Sequence, residues 1–301
     1  MRLAVTGGTG FIGSHLLDAA LVNGHQINAL TRREQQAREG VTWIVGDLSS
    51  RDALEQMVRD ADAVIHLAAT ISAPTAAAFQ EGNVTGTLAM LAAATAGGVQ
   101  RFIHVSSLAA REPKLSLYGA SKERAEELVM GSGLDWAIVR PPAVYGPGDK
   151  ETLELFRMAK LGLMLMPPRG RVSVIHVDDL ARLLLALAAA GAPSNCMIEP
   201  DDGRTGGWSH REFAKSLADA VGTKAAVVSS PGILLRLAAR ADQLLRGEKA
   251  KLTTDRAAYF SHHNWVVEPK RGAPPDLWKP QISTASGLKS TAEWYKANGW
   301  L

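Results

Sequence analysis

The sequence predicts an α/β fold: a doubly wound parallel sheet over residues 1–145, then a smaller C-terminal α/β lobe over 146–301 with some elements packing back on the sheet. Three observations carry this expectation. Short apolar runs of strand length recur up to Pro142, segments rich in alanine and leucine separate them, and beyond Gly146 the texture breaks at "GPGDK", "PPRG", "EPDDGRTGG" and "EPKRGAPPD".

Taken in order, the strands are "RLAVTG", "QINALT", "VTWIVGDL", "DAVIHLAA", "RFIHVSS" and "WAIVRPP". Their alternation with helix-like segments is the pattern of parallel strands joined by crossover helices. The alanine-rich stretch 75–96 predicts a closely packed helix. In the C-terminal lobe, helices are expected at "DDLARLLLALAAA", "SHREFAKSLADAVG" and "STAEWYKANGW". The apolar "GILLRLAARADQLLRG", residues 232–247, reads as a further packed helix, because its arginines are too few to form the basic face of a helix lying on a membrane.

Composition narrows the partners. A content of 46% hydrophobic and 21% charged residues in 301 is that of a globular chain with a sizeable core. The formal net charge of +3 comes from lysines and arginines scattered among acids, which argues against a nucleic-acid partner and for a small molecule. Cys196 is the sole cysteine, so neither an internal disulfide nor a cysteine metal cluster is expected, and a reducing, cytoplasmic setting fits. The histidines share no ligand spacing with carboxylates, so no metal site is expected. The opening "MRLAVTGG" enters a strand and turn directly, without the apolar run of a signal peptide, and no stretch of roughly 18 uncharged apolar residues is present to span a bilayer.

The first chemical feature is "VTGGTGFIGSHL", residues 5–16, which follows a strand and opens a helix with Gly7, Gly10 and Gly13 at three-residue spacing. Glycine permits the tight turn and the close approach of backbone to a pyrophosphate, and the helix N-terminus favours the anion. Together they predict a Rossmann-like dinucleotide site. At the end of the second strand, "ALTRREQQ" places Thr31 where an acid would hold a ribose 2′-hydroxyl, and Arg32 and Arg33 follow. A guanidinium there pairs with a 2′-phosphate, so NADP(H) is the expected cofactor, with NAD(H) the alternative if Glu34 reaches the ribose.

The second feature is "SSLAAREPKLSLYGASKERAE", residues 106–126. Tyr118 and Lys122 are four apart and share a helix face. A phenol is a poor base near neutral pH, but a neighbouring ammonium favours its phenolate, and it can then exchange a proton with an alcohol or carbonyl. A serine at the end of the preceding strand could hold the same substrate oxygen.

With these motifs in place, the chain resembles the extended short-chain dehydrogenase/reductase superfamily, which includes nucleotide-sugar epimerases and dehydratases, 3β-hydroxysteroid dehydrogenases and dihydroflavonol reductases. The resemblance also takes in "GDL" at 46–48, "HLAA" at 66–69, "NVTGT" at 83–87, "VRPPAVYGPGD", "VIHVDDLA" and the closing "WYKANGWL". It implies that Tyr118 is the general acid/base and that Lys122 is its electrostatic partner and a ligand of the nicotinamide ribose. Ser107 would orient the substrate oxygen, with Ser106 as the fallback and a cofactor contact. Phe11 and Ile12 would meet the phosphates, Asp47 and Leu48 the adenine; Leu67, Ala68 and Ala69 would line the cofactor, with Asn83 near it and Pro142 at the nicotinamide. Asp178 or Asp179 is expected to cap the following helix.

Two departures shape the expected substrate. Sugar-nucleotide enzymes usually carry an asparagine where this chain has Ala143, which points instead to the ketone-reducing branch. The spacing from Ser107 to Tyr118 is 11 residues, shorter than in relatives, and predicts a pocket mouth that is either more open or closed by the small lobe instead. The expected function is therefore hydride transfer between NADP(H) and a secondary alcohol or ketone of a small, mostly apolar molecule. The alternatives are an epimerase or dehydratase with retained NAD, and a binder of NADP(H) without turnover. The resemblance also implies a homodimer through the Tyr118 helix and the alanine-rich helix before it.

Overall fold

Each predicted strand forms, and each is paired in parallel. In the computed structural model, which describes residues 1–167, 169–229, 258, 259 and 261–301, they are β1 (Arg2–Thr6), β2 (Gln26–Thr31), β3 (Val41–Val45), β4 (Ala63–His66), β5 (Arg101–Val105) and β6 (Asp135–Val139). A seventh, β7 (Cys196–Ile198), was not foreseen, since three residues after a loop carry no periodic signal. The helix expected at 232–247 lies outside the described residues.

The sheet order is β7-β6-β5-β4-β1-β2-β3. The chain starts at the centre in β1, winds outward to β3, then crosses back to β4 and winds outward the other way. The order therefore reverses between β1 and β4, paired from Leu3↔Ala63 to Thr6↔His66, and a crevice opens beyond the carboxyl ends of that pair. Helices α1 (Phe11–Val22), α2 (Arg51–Val58), α3 (Gly86–Ala96), α4 (Leu117–Met130) and α5 (Val177–Ala188) belong to this layered unit. The alanine-rich stretch is helical but not uniformly so: Ala76–Phe79 leads into a π-turn at Gln80–Thr85 before α3. Leu54, Met57, Val64, Met90, Phe102 and Ile138 pack into one buried cluster. Each such side chain removed from water contributes on the order of 1.5–3 kcal/mol.

By contact, this first unit comprises Met1–Pro141, Asp178–Glu199 and Ala273–Lys279. Asp178 and Asp179 sit inside the first turn of α5 rather than at its cap, because the helix already begins at Val177. Negative charge there still complements the helix dipole, and the two carboxylates engage His15 at 2.6 Å and Arg182.

The second unit comprises Pro142–Val177, Pro200–Gly272 and Pro280–Leu301. Its elements are short, as the turn-rich sequence predicts: parallel pairs Leu163–Met166 with Ala226–Ser229 and Ala143–Tyr145 with Val174–His176, and helices Leu153–Lys160, His210–Val221 and Thr284–Ala297. The helix at His210 starts in a capping box between Ser209 and Glu212 and stops at left-handed Gly222. Phe156, Leu217, Leu288 and Tyr295 centre its core. Trp294 and Trp300 meet edge to face at 5.0 Å against that core.

Candidate functional site

The glycine turn between β1 and α1 is built by close approach. Gly7 has φ +72°, and a Cβ on Gly13 would lie 2.1 Å from the Gly7 carbonyl oxygen, so only hydrogen fits there. The Gly10 amide donates to that same carbonyl at 3.0 Å. Gly10 caps α1 without a side-chain bond, which leaves the first-turn amides of Phe11, Ile12 and Gly13 available to an anion.

From this turn a groove of about 1060 Å³ runs over the carboxyl ends of the strands. Gly7 and Gly10 form one end, Asp47 and Leu48 a wall, and Leu67, Ala68 and Ala69 the floor after β4; Arg32 stands at the β2 edge. Its size and its glycine cradle fit a dinucleotide. When bound, a nicotinamide dinucleotide supplies or accepts a hydride. The Asp47 carboxylate accepts from the Ser49 amide at 2.9 Å and the Ser49 hydroxyl at 2.6 Å, and those bonds hold it below the usual carboxylate range. Arg33 follows the groove-lining Arg32, its carbonyl accepting from the Thr31 hydroxyl at 2.8 Å. Sequence reasoning missed Thr9, Arg51 and Glu55, which also line the groove. Arg51 and Glu55 are exposed i,i+4 partners on α2, a pattern that ordinary surface helices share.

Asn83 lies in the π-turn, fully buried, and joins two parts of the site. Its amide nitrogen donates to the Thr70 carbonyl at 2.9 Å and the Ser121 hydroxyl at 2.8 Å, while its oxygen accepts from the Thr70 amide at 2.6 Å. The loop after β4 is thereby tied to α4, and the π-turn supplies the displaced register that lets the side chain reach both.

The second half of the site starts at the end of β5. Ser106 and Ser107 are adjacent but diverge. The Ser106 hydroxyl donates to buried Glu126, whereas the Ser107 side chain bonds the phenol of Tyr118. Ser107 also caps a short 3₁₀ turn, Leu108–Arg111, by accepting from the Ala109 amide at 3.2 Å. A second turn, Pro113–Leu115, leads to Ser116, whose hydroxyl caps α4 through the Gly119 amide at 2.9 Å. The short segment is thus not an empty gap: Leu108, Ala109 and Ala110 are buried, and the Ala109 carbonyl lies so close to Gly119 that a Cβ there would meet it at 2.7 Å.

Tyr118 and Lys122 share a face of α4 as their spacing predicts. Burial raises the Tyr118 phenol, and the Ser107 bond opposes that rise. Lys122 is 1% exposed, and its ammonium donates to the Val105 carbonyl at 2.9 Å. Burial pushes it down to about 8, with Glu126 one turn along opposing. On the strands beneath, His66 and His104 stack at 5.5 Å. Burial, then the Lys122 charge, push His66 down to about 3 and His104 well below its ordinary value, so both are neutral. Pro142, expected at the nicotinamide, belongs to the second unit. Among the described residues no group of three or more metal-ligating side chains occurs, and no helix is long and apolar enough to cross a membrane.

A Tyr–Lys pair with a bonded serine, at the carboxyl end of a parallel sheet and in the same unit as a dinucleotide groove, can move one proton at a substrate oxygen. Residues 3–197 match the NAD dependent epimerase/dehydratase family. The chain is 36% identical to a ceramide reductase of Caulobacter vibrioides over 99% of this chain and 96% of that one. It is 33% identical to a 4-hydroxy-2-methyl-3-oxo-4-farnesyl-3,4-dihydroquinoline-1-oxide ketoreductase of Stigmatella aurantiaca, over 81% and 80%. The solved structure of MoeE5 with UDP-glucose and NAD shares the fold, with TM-score 0.74 at 22% identity over 99% of both chains. The chain belongs to the NAD dependent epimerase/dehydratase family, as an NAD(P)-dependent oxidoreductase of the extended short-chain dehydrogenase/reductase superfamily.

Proposed function

We propose that this protein reduces a ketone on a small, mostly apolar substrate, with NADPH as the preferred hydride source and Tyr118 as the proton donor. The observation that carries the reading is the convergence at the end of β5 of three side chains: Ser107, capping the 3₁₀ turn and close enough to the Tyr118 phenol to favour its ionised form, Tyr118 itself, and buried Lys122 held by the Val105 carbonyl. Ser107 and Tyr118 hold the carbonyl oxygen; as the carbonyl carbon becomes tetrahedral, the Tyr118 hydroxyl gives its proton to the developing alkoxide. Protonated Lys122 stabilises the phenolate left behind. The ceramide and farnesyl groups in the names of the two relatives support an apolar hydrocarbon on the substrate. Arg32 at the groove's edge supports NADPH over NADH. The second unit would then carry the substrate lobe, and a homodimer would form through α4 and α3, which light scattering tests.

The test is a panel of long-chain ketones scored by NADPH loss, with Tyr118→Phe alongside. Turnover should fall by about 10²–10⁴ while NADPH binding stays within twofold. Unchanged turnover in the variant overturns the role of Tyr118. Tightly retained NAD extracted from the protein, with no net NADPH consumption, favours an epimerase or dehydratase instead.

A further inference from the structure

Behind the Ser107–Tyr118 pair, the first unit contains a row of alternating charges that the reaction does not use. Glu126 is 1% exposed and takes two bonds from Arg140, at 2.8 and 2.6 Å. Arg140 also reaches Glu199 at 3.5 Å, and Glu199, itself 1% exposed, pairs with Arg111 at 3.7 Å. One end of the row is therefore on α4, one turn beyond Lys122, and the other is the last residue of the 3₁₀ turn that Ser107 caps. The turn is fixed at its other side by the Leu108 amide, which donates to the Pro141 carbonyl at 3.0 Å. Buried ion pairs are weak sources of net stability, because desolvation offsets their attraction, yet they strongly favour one geometry over others.

We propose that the row Arg111–Glu199–Arg140–Glu126 holds Ser107 against Tyr118, with Arg111 as the positioning residue at the loop end. It does for the short segment what a longer, self-packed loop would otherwise do. The inference rests on the proposed reaction only for its kinetic arm. Its other arm is the phenol of Tyr118: the Ser107 bond lowers that titration, so a loop released from Glu199 lets it rise. The ionisable groups around this part of α4 are Lys122 and Glu126 on the helix itself and the neutral His66 and His104 from the strands.

The experiment compares full-length Arg111→Met, Glu199→Gln and the double variant by tyrosinate absorbance, taking the Tyr118 signal as the difference from Tyr118→Phe. Circular dichroism confirms that each is folded, and either single variant suffices should the other fail to fold. Each single variant should raise the Tyr118 midpoint by about one unit and lower kcat about tenfold, with KM for NADPH within twofold. The double variant should match Glu199→Gln rather than sum the two, because both single variants break the Arg111–Glu199 link. A lowered melting temperature with the Tyr118 midpoint unmoved would show a purely structural role and overturn the proposal, as would additive effects. If the wild-type protein reduces no ketone, the proposed reaction fails while the titration still decides this inference.

Discussion

The Lys122 ammonium donates to the Val105 carbonyl at 2.9 Å, so a charged group one turn from Tyr118 is anchored to the last residue of the strand that presents Ser107. This costs stability: a lysine pushed down to about 8 from its ordinary 10.5 binds its proton less tightly in the folded chain than in the unfolded one. The difference corresponds to about 3 kcal/mol at neutral pH. Lys122→Met should therefore melt no lower than wild type at pH 7 while losing at least 10²-fold in turnover. Calorimetry and NADPH consumption measure the two. In wild type, the reduction rate should decline as pH rises through about 8, where Lys122 loses its charge, and this decline should be absent from the residual rate of the variant.

The buried histidines set the acid limit. His66 is pushed down to about 3 and His104 well below its ordinary value, so on the acid side of that ordinary value the unfolded chain binds more protons than the folded one. Stability should fall as pH is lowered from about 6.5 towards 3. His66 has Thr6 at 2.7 Å and Thr87 at 3.1 Å, but neither ring nitrogen of His104 has a hydrogen-bond partner among the described residues. An apolar ring is then the better occupant: His104→Phe should melt at or above the wild-type temperature at pH 7 and show a shallower acid limb in a pH series of thermal melts.

Gly13→Ala should separate from most surface changes by its severity. The added Cβ would meet the Gly7 carbonyl oxygen at 2.1 Å, and backbone cannot step aside as a flexible side chain would. A loss of about 1–3 kcal/mol in stability is expected, together with cofactor binding too weak to detect by calorimetry. A variant that binds NADPH within threefold of wild type would show that the turn opens more readily than this geometry allows.

Arg32→Ala tests cofactor choice. A charged hydrogen bond to a phosphate contributes about 1.5–3 kcal/mol, so the dissociation constant for NADP+ should rise roughly 10- to 100-fold. That for NAD+ should stay within twofold, since its ribose offers no phosphate to the guanidinium. Isothermal titration with both nucleotides reads the contrast, and equal losses for the two would reject a 2′-phosphate role.

Strand, glycine turn and helix were legible because their signals are local: an apolar run, a three-residue glycine spacing and a four-residue Tyr–Lys spacing each specify short-range geometry. The alternation of strands and helices was enough to foresee a parallel sheet. β7 escaped notice because its three residues owe their strand form to β6, paired from Cys196↔Ala137 to Ile198↔Val139, and not to any pattern of their own. The π-turn at Gln80–Thr85 was hidden in an alanine-rich stretch for the same reason: nothing in its composition marks the extra residue per turn.

The sequence by itself determined which residues could bind a dinucleotide and which could move a proton, because those capacities belong to the backbone freedom of glycine and to the chemistry of phenol, ammonium and hydroxyl groups. The family resemblance ranked Ser107 ahead of Ser106 but gave no physical ground for it. Tertiary structure supplies one: buried Glu126, paired with Arg140, takes the Ser106 hydroxyl, while the folded segment brings Ser107 to Tyr118. Partners of this kind lie far apart along the chain: Arg140 and Glu126 are 14 positions apart, Arg101 and the Pro193 carbonyl 92, His15 and Asp178 163. Such pairings depend on how the strands stack, and no local spacing encodes them.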